Sequence, residues 1–168
     1  IKKVSNFIQR LKTKGITLEY LNIGGGLGII YDHESPQTAG IYANEIIPLL
    51  KKTGLKIIME PGRFIVGNAG ILVIKVLYIK PTPKKKFIIV DGGMNDLIRP
   101  ALYSAYHNIW PLVKNLKTEK ADLVGPICES GDFLAKERLI AKVKEADYLA
   151  VMSAGAYGFS MSSNYNSR

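Results

Sequence analysis

A single cysteine in 168 residues, Cys128, excludes an internal disulfide. It fits a reducing compartment and rules out a zinc site built from cysteines. Histidine is nearly as scarce. His33 and His107 stand alone, with no context for a Ser-His-Asp constellation, so neither is given a role and no metal site is expected. Long apolar runs are also absent. The stretch Ile71–Ile79 is broken by Lys75 and falls far short of the ~18–20 residues of a membrane span. The opening Ile1-Lys2-Lys3-Val4-Ser5 has no initiator Met and no apolar segment before a cleavage site, so it does not read as a secretory signal, and a cytoplasmic location is expected. Two nucleotide fingerprints fail as well. Gly24-Gly25-Gly26-Leu27-Gly28 has Ile29 where the third glycine of G-x-G-x-x-G belongs, and no G-K-[ST] follows.

The sequence does have a globular composition, 47% apolar and 22% charged, with a formal net charge of +9. The charge is uneven: residues 1–86 carry 14 basic and 5 acidic side chains, residues 87–168 nine of each. The excess falls in three dispersed clusters, at Lys2–Lys14, at Lys51, Lys52 and Lys56, and at Lys80 with Lys84–Lys86. A nucleic-acid reader gathers its basic residues on one face among aromatics. No such motif is present, so a solvated cationic surface is expected and no nucleic-acid partner.

Val4, Phe7, Ile8 and Leu11 follow the i, i+3, i+4, i+7 pattern of an amphipathic helix ending near Gly15. Residues 18–23 read as a buried strand that runs into the Gly-rich loop. A second helix is expected over about 39–52, with Pro48 kinking or breaking it. Lys56–Met59 reads as another short buried strand, closed by Glu60-Pro61-Gly62-Arg63. Helix, strand, loop, helix, strand, loop is α/β layering with parallel strands. After about Asn68 the character becomes β-rich. Ile71–Lys80 and Phe87–Asp91 form an expected antiparallel hairpin with a charged tip, and further strands are expected at 122–125 and 147–152.

Several loops are candidates for chemistry. The Gly-rich loop either cradles a phosphate on bare amides or is a structural turn. Glu60-Pro61-Gly62-Arg63 offers an acid at a strand tip, a turn with free amides and a guanidinium. Two such loops at the ends of successive parallel strands lie on the side where barrels hold their active sites. Cys128 is either a small buried hydrophobe or, among polar neighbours, a proton-transfer group. Arg99 and Tyr103 bind a carboxylate or make a surface salt bridge. Tyr157 sits in a loop of small residues, where its ring and hydroxyl are accessible.

Together these segments resemble the diaminopimelate decarboxylases, within the fold-type III group of pyridoxal-phosphate (PLP) enzymes. The matching stretches are LNIGGGLGI (21–29), EPGR with IVGNAG (60–63, 65–70), VDGGMNDLIRPALYSAYH (90–107), VGPICESGDFLA (124–135) and MSAGAYGFSMSSNYNSR (152–168). The resemblance implies the end of a PLP-binding (β/α)8 barrel over residues 1–66, then part of a β-rich, barrel- or sandwich-like C-terminal domain over 67–168. It implies decarboxylation of meso-2,6-diaminopimelate to L-lysine and CO2. By resemblance, Gly26 and the backbone of Gly62 and Arg63 hold the cofactor phosphate, and Glu60 pairs with the pyridine nitrogen. Arg63, Arg99 and Tyr103 bind substrate carboxylates, Glu129 faces the distal ammonium, and Tyr157 contacts cofactor and substrate. Cys128 returns a proton to Cα. Cys128 and Glu129 enter the partner's site, so a homodimer is implied. The family's cofactor-bearing lysine and ring-stacking histidine have no counterpart motif here. The chain therefore reads as an internal fragment, inactive by itself. A decarboxylase of another diamino acid, or a non-catalytic PLP-binding or dimerisation module, is the alternative.

Overall fold

The computed structural model describes residues 2–168, which divide into two compact units. One unit runs through Ile29 and takes in Ser35–Phe64; the other comprises Ile30–Glu34 and Ile65–Arg168.

The first unit contains α1 (Lys2–Thr13), β1 (Tyr20–Asn22), α2 (Ala39–Lys51) and β2 (Lys56–Ile58). The expected C-terminal stop of α1 is present. Gly15 takes φ +78°, its N–H donates to the Lys12 carbonyl, and Ile16 N–H reaches back to Leu11 O. Those two bonds are the Schellman pair, which satisfies carbonyls the helix leaves open. Of the apolar stripe on α1, Ile8 is buried and Leu11 half-buried, whereas Val4 and Phe7 are exposed. Lys12 Nζ donates to Thr53 O at 3.3 Å, tying α1 to the segment after α2. Thr38 caps α2 by accepting from Ile41 N–H. Contrary to expectation, α2 runs uninterrupted through Pro48. The proline lies in the last turn, so few helical bonds follow the one it removes.

β1 and β2 pair in parallel, Leu21 opposite Ile57. Neither is the buried strand the sequence suggested: Tyr20 is 53% exposed, and Ile57, Ile58 and Met59 are exposed as well. The two strands form a two-stranded sheet and pair with each other only, so among the described residues no further strand covers them.

The second unit is built on a six-stranded mixed sheet in the order β5-β8-β3-β4-β6-β7. Its strands are β3 (Leu72–Pro81), β4 (Lys86–Val90), β5 (Ile109–Pro111), β6 (Thr118–Val124), β7 (Phe133–Ala141) and β8 (Tyr148–Val151). The β3–β4 hairpin is antiparallel, with Pro81 opposite Lys86, as expected. β4 and β6 run parallel and the remaining pairs antiparallel. Alternate residues face inward, and Ile74, Val76, Ile88, Val90, Leu123, Leu134, Ile140, Leu149 and Val151 form the core. The lysines of the hairpin tip are not simply solvated: Lys85 pairs with buried Asp122 at 3.0 Å and Lys86 with Glu119 at 2.7 Å, both on β6.

Four α-helices and strands lay outside the sequence expectation. The helices α3 (Gly62–Val66) and α4 (Arg99–Tyr103) and the strand β5 are too short to show a period. β7 breaks its own alternation at Glu137, which takes φ +48° and donates its N–H to Asp122 Oδ1 at 2.6 Å. The register between β6 and β7 slips at that point, the mark of a β-bulge. Arg138, next along β7, donates to the His107 carbonyl at 3.1 Å, so the two outer edges of the sheet are bridged. No helix among the described residues is long and apolar enough to cross a membrane.

Packing of the second unit is tightest at Gly155. A Cβ there would lie 1.9 Å from the Val66 carbonyl oxygen and 2.8 Å from Gly70 N, both backbone atoms. Gly40, on α2, has nothing nearer than Thr38 Oγ1 at 3.9 Å. In urea unfolding we expect Gly155→Ala to cost about 3 kcal/mol through overpacking. Gly40→Ala should be neutral or stabilise by about 0.5 kcal/mol. Equal effects at the two positions would contradict the packing described.

Candidate functional site

The two loops of the first unit are zipped together. Ile23 N–H donates to Ile58 O at 3.0 Å, and Glu60 N–H donates to Gly24 O at 2.8 Å. A Cβ on Gly25 would meet the Glu60 carbonyl oxygen at 2.4 Å, so the close approach requires glycine. Asn22, which the sequence reading passed over, joins them further. Its amide Nδ2 donates to the Glu60 carboxylate, and its Oδ1 accepts from Gly24 N–H at 2.8 Å. Gly26 takes φ +99°, and a side chain at Gly26 or Gly62 would point into open space. One expectation needs correction: the Gly62 amide is not free, because it donates to Glu60 O at 2.8 Å. Arg63 follows in the first turn of α3 (Gly62–Val66). Unobstructed glycine backbone beside a carboxylate oriented by Asn22 suits a ligand that has an anionic group and a hydrogen-bond-donating or cationic group. Lys56 stands at the opposite, N-terminal end of β2, with its ammonium 5.2 Å from the Tyr20 ring, and so is not at these loops.

In the second unit α4 carries Arg99 and Tyr103 one turn apart, on one face of the helix. Tyr103 is exposed, whereas Arg99 is only 7% exposed. Among the described residues no carboxylate comes within ion-pair distance of Arg99, so the surface salt bridge does not form. Instead its Nη1 lies 3.0 Å from His107 Nε2, and its guanidinium packs 4.7 Å from the Tyr31 ring centroid and 5.8 Å from that of Tyr157. His107 is fully buried; its Nδ1 lies 2.9 Å from Met152 O and its ring meets Tyr31 edge-on at 5.2 Å. A guanidinium only donates and a carbonyl only accepts, so Nε2 is bare and Nδ1 carries the hydrogen. Burial pushes the His107 pKa down, with the charges of Arg99 and Arg138 adding to it and the Met152 bond opposing. Tyr157 itself sits at φ +67°, an unfavourable conformation for a tyrosine, in the loop that Gly155 seats against Val66.

Cys128 and Glu129 are exposed, which removes the buried-hydrophobe reading of the cysteine. Their loop is anchored by Asp132, buried and accepting from Met94 N–H at 2.7 Å and Ile127 N–H at 2.6 Å. Only glycine fits around this carboxylate: Cβ atoms on Gly93 and Gly125 would stand 2.8 Å and 2.4 Å from its oxygens. Tyr165 donates its hydroxyl to Glu129 Oε2 at 3.1 Å. That bond and the carboxylate's charge raise the Tyr165 pKa. A cavity of about 260 Å³ lined by Met94, Asn95, Ile98, Glu129, Ser163 and Tyr165 puts Glu129 beside the residue that precedes Arg99. Tyr31 had no signal in the sequence, and His107 and Tyr165 had none beyond lying within matching stretches. Asp132 had a faint one, in the glycines at 93 and 125 that leave it room.

Known proteins match this chain. The family model for the pyridoxal-dependent decarboxylase, C-terminal sheet domain, covers residues 28–155. A diaminopimelate decarboxylase of Aquifex aeolicus is 53% identical over 170 residues, which cover 100% of this chain and 40% of that protein. One from Haemophilus influenzae is 54% identical over 164 residues, covering 96% of this chain and 39% of that protein. The crystal structure of Helicobacter pylori diaminopimelate decarboxylase complexed with L-lysine superposes with a TM-score of 0.92 at 42% identity, covering 99% of this chain and 41% of that one. The chain thus spans about 40% of the length of the curated relatives it matches.

The His107 pair generates a pH prediction. A folded pKa below the ordinary ~6.5 means that the unfolded chain binds more protons in the window beneath it. Stability is therefore full above about pH 6.5 and falls as the pH drops toward the folded value. We expect the wild-type urea midpoint to fall more between pH 7 and pH 5 than that of His107→Gln. A parallel decline in both would show that His107 does not contribute to it.

Proposed function

The chain belongs to the pyridoxal-dependent decarboxylases through their C-terminal sheet domain, and from that premise we propose that the full-length protein carrying it is a diaminopimelate decarboxylase. Its reaction is the release of CO2 from meso-2,6-diaminopimelate to leave L-lysine. The observation that carries this reading is Arg99: a buried guanidinium with no acidic neighbour among the described residues is a receptor for a carboxylate from outside. Identity near 50% across the whole chain with curated diaminopimelate decarboxylases supports the choice of substrate.

We take residues 1–66 as the last two β/α units of a PLP-binding barrel and residues 67–168 as part of the sheet domain that follows. The parallel β1–β2 pair, with its loops joined at Gly24 and Glu60, supports the first assignment. Gly26 and the backbone of Gly62 and Arg63 receive the cofactor phosphate, the Gly62 amide giving up its bond to Glu60 O to do so. Glu60, oriented by Asn22, keeps a proton on the pyridine nitrogen. When bound, PLP supplies the electron sink for the pair left behind as CO2 departs. Arg63, Arg99 and Tyr103 hold the substrate carboxylates, and Tyr157 contacts cofactor and substrate. Glu129 receives the distal ammonium, so a diamino acid is favoured over a simple one. Cys128 gives the proton on Sγ to Cα in place of the lost carboxylate.

The exposed loop bearing Cys128 and Glu129 supports a homodimer in which each chain lends these two residues to its partner's site. We place the enzyme in the cytoplasm, where such a thiol stays reduced.

The full-length protein should release CO2 and L-lysine from meso-diaminopimelate; no release would refute the reading. Cys128→Ala should keep its cofactor absorbance while kcat falls about 10²–10⁴-fold, the span of a lost proton donor. Glu129→Gln should raise KM for meso-diaminopimelate, and unchanged KM would remove Glu129 from substrate recognition.

A further inference from the structure

We propose that His107 is a positioning residue that fixes the plane of the Arg99 guanidinium for the substrate carboxylate. The proposal rests on the reading of Arg99 given above and extends it to a residue that touches no ligand.

A buried arginine needs acceptors for its donors. A guanidinium has five N–H donors in one plane, and each left without an acceptor inside a protein is costly. A carboxylate neighbour would satisfy two of them and also cancel the charge that attracts a ligand. His107 supplies one acceptor and no charge. Nε2 takes one N–H of Arg99 at 3.0 Å, while Nδ1–H is held by Met152 O at 2.9 Å. Met152 N–H in turn donates to Asn108 O at 2.8 Å, so the residue whose carbonyl holds Nδ1–H is itself tied to the backbone beside His107. Edge-on packing against Tyr31 limits rotation of the ring, and the same tyrosine lies against the guanidinium. The hydrogen bond to His107 and the Tyr31 ring beneath the guanidinium carbon together restrain how the group can turn, and the remaining N–H groups stay available. Bidentate recognition depends on the plane of the group, because two parallel bonds form only when guanidinium and carboxylate lie edge to edge.

A histidine in this place, 0% exposed, is otherwise unexplained. An apolar residue would fill the space without needing two hydrogen bonds. The neutral state of the ring argues against proton transfer, since both nitrogens are already engaged.

The test uses the full-length holoenzyme with His107→Leu, His107→Gln, Arg99→Lys and the His107→Leu/Arg99→Lys double variant. Three quantities are read: KM and kcat for meso-diaminopimelate, the calorimetric Kd of pimelate (the same seven-carbon diacid without amines), and the melting temperature. We expect His107→Leu to raise KM and the pimelate Kd about tenfold with kcat within about threefold of wild type, as for loss of a hydrogen bond to a charged group. His107→Gln, which keeps an acceptor, should restore both to within about threefold. On the Arg99→Lys background His107→Leu should add nothing further. If His107→Leu does not fold, His107→Asn, polar but too short to reach Arg99, takes its place. The proposal is overturned if the substitution lowers the melting temperature but leaves KM and Kd alone, or raises them equally with and without Arg99. If Arg99→Lys leaves KM and Kd at wild-type values, it is instead the reading of Arg99 that fails.

Discussion

A cation held inside a sheet domain without an acid beside it is the constraint on which the rest of the second unit turns. Removing a guanidinium from water costs several kcal/mol unless its donors find partners. Arg99 finds a neutral imidazole and aromatic rings, and its charge remains uncancelled. Meeting that need fixes much else. The imidazole must take one tautomer, which requires the Met152 carbonyl at the end of β8. Residue 107 must lie just before β5, the strand paired to β8, and Arg138 on the far edge of the sheet reaches the same residue's carbonyl. The short helix α4 holds Arg99 at its start, where Pro100 costs no helical bond.

The second loop system shows the opposite electrostatic choice. The buried carboxylate of Asp132 is met by two backbone amides, and glycines clear the space around it. It is fully engaged and serves as an anchor, leaving Cys128 and Glu129 on the outer face of the loop. Glu129 keeps one oxygen near the Gly131 amide and the other on the Tyr165 hydroxyl, so its carboxylate is oriented while still exposed. An anchored loop with an exposed thiol and an exposed acid is what a shared dimer site would need.

Much of this was legible in the residues. The stripe on α1, the glycine that stops it, the β3–β4 hairpin with its lysine tip and the glycine-rich loop end of β1 all follow from local rules. The matched segments also pointed to the family through side-chain identity alone. What stayed hidden depends on partners far along the chain. α4 and β5 are too short to show a period, and the bulge at Glu137 shifts the alternation of β7 halfway along. The roles of Asn22 and His107 exist only once residues 38 and 8 positions away are folded against them. The apolar residues of β1 and β2 read as core, yet both strands are exposed, because within this chain each has one partner.

The most direct test is a crystal structure of the full-length protein with meso-diaminopimelate or pimelate bound. A ligand carboxylate should lie against the guanidinium nitrogens of Arg99 that do not face His107, within the ~2.7–2.9 Å of a charge-assisted bond. A ligand whose carboxylates lie elsewhere, with Arg99 paired to an acidic side chain of its own or a partner chain, would contradict it.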